Sequence, residues 1–128
     1  MKFDHVLNTW RYISTFFVVD VVHWQETLST EHRWNVYAYI HLGHPLFERI
    51  ESEDFCAGGF LPLHGGVSYH EWFYDSTGAV IYKKIGSDYH HAYDSRFASY
   101  STKDEAWEVF RDAEELIQFM ESEGQNEN

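Results

Sequence analysis

The chain has 128 residues, 44% hydrophobic and 19% aromatic, and carries 21 acidic against 9 Lys and Arg residues, a formal net charge of −12. That length suits one domain around one core, and that apolar content excludes a disordered chain despite the charge. The charge repels phosphate backbones and anionic bilayers, which argues against direct nucleic-acid or membrane partners, and the single cysteine, Cys56, excludes an intrachain disulfide.

The apolar run Tyr12–Val22 is about half a membrane span and contains Asp20. Asp4, His5, Arg11 and Asp20 break the layout of a secretory signal, so Met1 is expected to start the mature protein. FFVVDVVHW (16–24) and RWNVYAYIHL (33–42) are rich in β-branched and aromatic residues and read as two strands of a hairpin. Gly43 and Pro45 end the second, and the acidic segment Glu48–Phe55 is expected to be a solvated loop or a single helical turn.

After the breaks at Gly58, Gly59, Pro62, Gly65 and Gly66, VSYHEWFY and AVIYKKIG flank Asp75-Ser76-Thr77-Gly78, a hairpin signal. Ser87–Tyr100 has no clean period and is expected to be an ordered functional loop. Thr102 and Glu105 fit a capping box, and Ala106, Val109, Phe110, Ala113, Leu116, Ile117 and Met120 recur at helical spacing. The expectation is a helix from Lys103 to Met120, packed through Trp107 or Phe110, with its acids toward solvent. Strands followed by one helix predict a single α+β domain over 1–128. A mainly antiparallel sheet should carry the C-terminal amphipathic helix on one face, with an ordered core to about 121 and a frayed acidic tail at 122–128.

The nine histidines are the unusual count. His5, His23 and His32 are isolated and read as ordinary surface or hydrogen-bonded residues. Asp88-x-x-His91-x-x-Asp94 is different, because side chains three apart in a loop converge, and His64 beside the paired glycines completes two imidazoles and two carboxylates. That set suits zinc, manganese or iron, or a His/Asp acid–base pair without metal. The same spacing also fits carboxylates capping loop donors and histidines hydrogen-bonded in the sheet. Cys56 reads as a small buried hydrophobe.

Lys83, Lys84, Arg96 and Lys103 are interleaved with Tyr82, Tyr89, Tyr93, Phe97 and Tyr100. A cationic, aromatic cluster of this kind suits a small anionic, ring-bearing ligand such as a nucleotide; alternatively the bases only offset the acidic helix. The candidate ligand-binding set is therefore His64, Gly65, Gly66, Lys84, Asp88, Tyr89, His91, Tyr93, Asp94 and Arg96. No cofactor is expected other than a divalent metal at His64, Asp88, His91 and Asp94.

Through WNVYAYIHLGHPL, LHGGVSY, IGSDYHHAYD and STKDEAWEVFRDAEEL the chain resembles a family of small, functionally uncharacterised proteins encoded largely by bacteriophages, prophages and their hosts. The resemblance spans roughly Trp34 to Met120 and singles out His44, Pro45, His64, Gly65, Gly66, Asp88, His91 and Asp94. Tyr93 stands where that pattern has glycine, which implies a different local turn before Asp94. The resemblance implies an accessory protein working in the cytoplasm of a bacterial host by binding, in counter-defence or host takeover. It would block a host protein or sequester a small nucleotide, alone or as a homo-oligomer. The alternative is a small metal-dependent hydrolase built on His64, Asp88, His91 and Asp94, which 15 kDa makes less favoured.

Overall fold

A computed structural model describes residues 2–125. Its strands are β1 (Asp4–Val6), β2 (Thr9–Ile13), β3 (Phe17–Gln25), β4 (His32–His41), β5 (Tyr69–Tyr74) and β6 (Val80–Asp88), followed by one helix, α1 (Trp107–Gln125). They form one sheet in the order β1-β2-β3-β4-β6-β5, and every neighbouring pair is antiparallel. The α+β architecture, with the C-terminal helix packed on one sheet face, matches the expectation. Among the described residues no helix is long and apolar enough to cross a membrane.

Period-2 alternation sets which side chains meet the helix. Phe17, Val19 and Val21 of β3 and Trp34, Val36, Ala38 and Ile40 of β4 are buried on the helix face. Ala106, Val109, Phe110, Ala113, Leu116, Ile117 and Met120 supply the opposing stripe, all buried. Each large aliphatic side chain buried this way contributes about 1.5–3 kcal/mol relative to exposure.

The helix differs from expectation at both ends. Thr102 Oγ1 accepts from the Glu105 N–H and Glu105 Oε1 accepts from the Ser101 N–H, but this capped stretch closes a turn and regular helix starts only at Trp107. At the other end the helix runs on to Gln125, so 122–125 are helical and not frayed; 126–128 lie outside the described residues. Trp107 is 57% exposed, so Phe110 and not Trp107 makes the core contact.

His44 fastens the far end of α1 to the Gly-His-Pro turn. Its Nδ1 accepts from the Leu46 N–H at 3.1 Å, which leaves Nε2–H to donate to the Met120 carbonyl at 2.9 Å. The acidic segment Glu48–Phe55 is exposed as expected apart from the buried Ile50, and buried Leu46 and Phe47 anchor the chain that leads into it. The buried Lys83 ammonium holds it, donating to the Phe47 and Ile50 carbonyls at 2.8 and 2.6 Å. Cys56 is exposed, contrary to expectation, in a 3-10 turn over Phe55–Gly58.

Under the same segment, both ring nitrogens of His70 are buried without a hydrogen-bond partner. Burial pushes the His70 imidazole pKa down; Glu53 and Asp54 oppose that shift and Lys83 adds to it. The unfolded chain, titrating near 6.5, then binds more protons than the folded one. Stability from neutral His70 is complete above about pH 6.5 and is lost as pH falls toward the lowered value. His70→Phe is expected to flatten the acid side of the stability profile in urea unfolding between pH 5 and 8. A slope equal to the parent's would refute the assignment. His23, shifted down by burial and then by His32, accounts for slope that remains.

Candidate functional site: the His64–Asp94–His91 knot

The site forms where β6 leaves the sheet beside the turn that precedes β5. Leu63–Gly66 closes through a Gly66 N–H to Leu63 carbonyl bond at 3.2 Å, with Gly65 and Gly66 at φ of 67° and 85°. This turn aims His64 at the loop after β6. There the His91 N–H donates to Asp94 Oδ2 at 2.9 Å, and the Asp94 N–H returns a bond to the His91 carbonyl at 3.0 Å.

Asp94, 6% exposed, is the hub. His64 Nε2 lies 2.9 Å from each of its oxygens, and His91 Nδ1 lies 3.2 Å from Oδ2. Burial alone would raise the Asp94 pKa, but the His91 N–H and the His64 ring outweigh it and hold the carboxyl below its ordinary value. One ring nitrogen from each histidine and one Asp94 oxygen lie within 4.8 Å of one another.

Neighbours fix each imidazole. His64 stacks on Tyr89 with centroids 4.2 Å apart and rings 12° from parallel, and Phe97 meets it edge-on at 5.6 Å. Tyr89 is itself tied to the helix, its hydroxyl donating to Asp112 Oδ2 at 2.7 Å. Burial, reinforced by Asp112, pushes the Tyr89 hydroxyl pKa up, so it stays a donor. His91 lies flat against Gly65, where a Cβ would come within 2.9 Å of its ring.

Gly65→Ala therefore combines a left-handed backbone with a clash against the ring that must reach Asp94. The expected cost is about 1–2 kcal/mol, with His91 displaced and its imidazole signals shifted in NMR. Unchanged His91 shifts would show that the contact is slack.

Of the four expected members, His64, His91 and Asp94 converge, while Asp88 stands at the rim. Asp88 ends β6 as a strand residue, caps the His90 N–H, and leaves 3.6 Å between its Oδ1 and His91 Nδ1. His5, His23 and His32 stay outside, as expected: His23 Nε2 meets His32 Nδ1 at 2.8 Å, and His5 stacks on Trp10. Tyr93 does not impose a different turn. It takes φ 76°, the left-handed conformation that glycine usually supplies, with its side chain 95% exposed.

The expected cationic cluster does not assemble. Lys83 is buried under the 46–50 segment. Lys84 points to the other sheet face, over the rings of Tyr37, Tyr39 and Tyr69 at 4.3–5.0 Å. Arg96 is paired with Glu108 at 2.9 Å, and Lys103 lies over Phe110. The physical reason is strand alternation, which sends adjacent Lys83 and Lys84 to opposite faces. Two acids expected to face solvent, Glu108 and Asp112, instead tie α1 to this loop. The signal that would have found them is the Arg96 and Tyr89 pair in a loop known to face a helix.

A concavity of about 440 Å³ lies on the open sheet face between Arg11, Val18, Tyr39, Phe73, Tyr74, Ile81 and Tyr82. Arg11, which lines it, makes a two-pronged pair with the buried Asp20 at 2.7 and 2.8 Å. Comparison with protein families, curated proteins and solved structures finds no match to this chain.

Proposed function

We propose that this chain is a small acidic accessory protein, of the phage-encoded kind its sequence resembles, that blocks a host protein by binding it. The observation that carries this reading is Tyr93. A non-glycine residue held at φ 76° costs on the order of 1–3 kcal/mol, and such strain concentrates at functional sites. Here the strain presents an aromatic side chain, almost fully exposed, on a loop anchored by Asp94 and Arg96. Rigid aromatic anchors are what protein interfaces favour, and a net charge of −12 selects a basic partner surface. A nucleotide ligand has less support, because Lys84 and Arg96 are already engaged within the protein.

The test is side-by-side retention from a bacterial lysate by wild type and Tyr93→Ala, followed by assay of the retained protein's own activity. The expected result is one stoichiometric basic protein, inhibited by the wild-type chain, released by salt, and bound at least about 30-fold more weakly by Tyr93→Ala. The melting temperature of the variant should stay close to that of wild type, since the lost side chain is exposed and alanine keeps the same left-handed backbone. Equal retention by the variant would defeat the reading.

The convergence of His64, His91 and Asp94 favours one second reading, a small metal-dependent hydrolase. Steady turnover of a phosphoester or amide, abolished by His64→Ala, would replace the binding reading with it.

A further inference from the structure

We infer that His64, His91 and Asp94 form a binding site for one divalent cation of the zinc class, with water completing its coordination. The donor set is two imidazole nitrogens and one carboxylate, the mixture that borderline cations prefer over the all-oxygen sets of magnesium or calcium.

Three features of the knot point to an ion and not only to hydrogen bonding. His64 Nε2 approaches both Asp94 oxygens at the same 2.9 Å, so a single N–H there would be split between two acceptors, whereas hydrogen bonds are strongest when aimed at one. The Asp94 charge already has a proton donor outside the imidazoles, the His91 backbone N–H at 2.9 Å, so it does not depend on the two rings alone. The rings are also held in place before any ion arrives. The Tyr89–Asp112 link fixes the ring under His64, and Gly65 gives His91 a flat backing. Metal sites are built on such supporting contacts.

Asp88, with Oδ1 3.6 Å from His91 Nδ1, is placed to orient that imidazole or a bound water. An ion at this point would join the turn before β5 to the loop after β6. It would stiffen the segment that carries Tyr93 without touching Tyr93 itself. The metal site stands independently of the partner-binding reading.

The experiment uses the full chain stripped with EDTA and titrated with zinc chloride alone, followed by native mass spectrometry and thermal melting. The expected result is one zinc per chain at micromolar metal and a raised melting temperature. Affinity should fall roughly 100-fold or more in His64→Ala and in His91→Ala, with no change in His32→Ala, which alters the His23–His32 pair. Magnesium at the same concentration should give no shift. If His64→Ala loses its far-UV circular dichroism, the partly exposed His91 decides through His91→Ala. No retained zinc, or retention unaltered by both knot variants, overturns the site. Partner retention repeated in EDTA separates the two ideas. A Tyr93-dependent partner that persists in EDTA without zinc binding refutes only the metal site. Zinc bound at the knot with no Tyr93-dependent partner refutes only the binding reading.

Discussion

Phe110→Ala is expected to destabilise the fold by about 3–5 kcal/mol, the range for emptying a buried aromatic site. Phe110 is 5% exposed, and its ring is edge-on to Phe3, Trp10 and Trp34 with centroids 5.2–6.0 Å apart. The ring is thus the point where α1 meets β2 and β4 at once. Truncation removes its buried area and three aromatic contacts, and the indoles around it are too rigid to collapse into the space. Trp107→Ala, three residues earlier, should stay within about 1 kcal/mol because that indole faces solvent. Urea unfolding of both variants checks the pair. An unchanged midpoint for Phe110→Ala would refute the packing of the helix.

The second large effect is expected at Asp94. Asp94→Ala leaves the His91 N–H, His91 Nδ1 and His64 Nε2 without their common acceptor. A buried donor left unpaired costs about 1–3 kcal/mol, and because both rings are partly exposed and water reaches them, the sum is expected near 3 kcal/mol. Asp94→Asn should lie between wild type and Ala, since its one carbonyl oxygen replaces two acceptors. Amide hydrogen exchange is the sharper readout. Protection should fall across the loop from 89 to 97 while β3 and β4 keep theirs. Uniform loss over the whole sheet would mean that Asp94 supports the global fold and not the local knot.

Much of this architecture is legible in the residues. The β3–β4 hairpin, the β5–β6 hairpin with its Asp75–Gly78 turn, and the buried stripe of α1 all follow from periodicity and turn chemistry. The β1–β2 hairpin does not, and Leu7 shows why. It turns the chain at φ 55°, a conformation normally marked by Gly, Asn or Asp at that very position, and the neighbouring Asn8 alone is a weak turn signal. Tyr93 is unmarked in the same way. Convergence of His64, His91 and Asp94 is readable because the carboxylate and His91 are three apart and the paired glycines flag a turn. Asp88 reaches only the rim because β6 continues two residues past Gly86, which puts Asp88 in register with Asn35 while its carboxylate caps the His90 N–H. The separation of Lys83 and Lys84 follows from the alternation rule applied to AVIYKKIG, already read as a strand, whereas the engagement of Arg96 by Glu108 and of Lys103 by Phe110 depends on where the helix packs.

The strand order β4-β6-β5 bears on how fast the protein reaches its native state. The first four strands form a meander whose turns are all short, and β5 with β6 is a local hairpin; units of that kind form within about 1–10 μs. Joining them is a different event. β6 lies beside β4 across the whole of 42–79, so this pairing closes the longest loop in the sheet. Its closure entropy comes due before Ile85 or Lys83 gains a single contact. The rate-limiting step should therefore be the docking of a preformed β5–β6 hairpin. Until it docks, the edge of β4 is open to pairing with another chain, which makes slow refolding at high concentration the condition under which this protein aggregates.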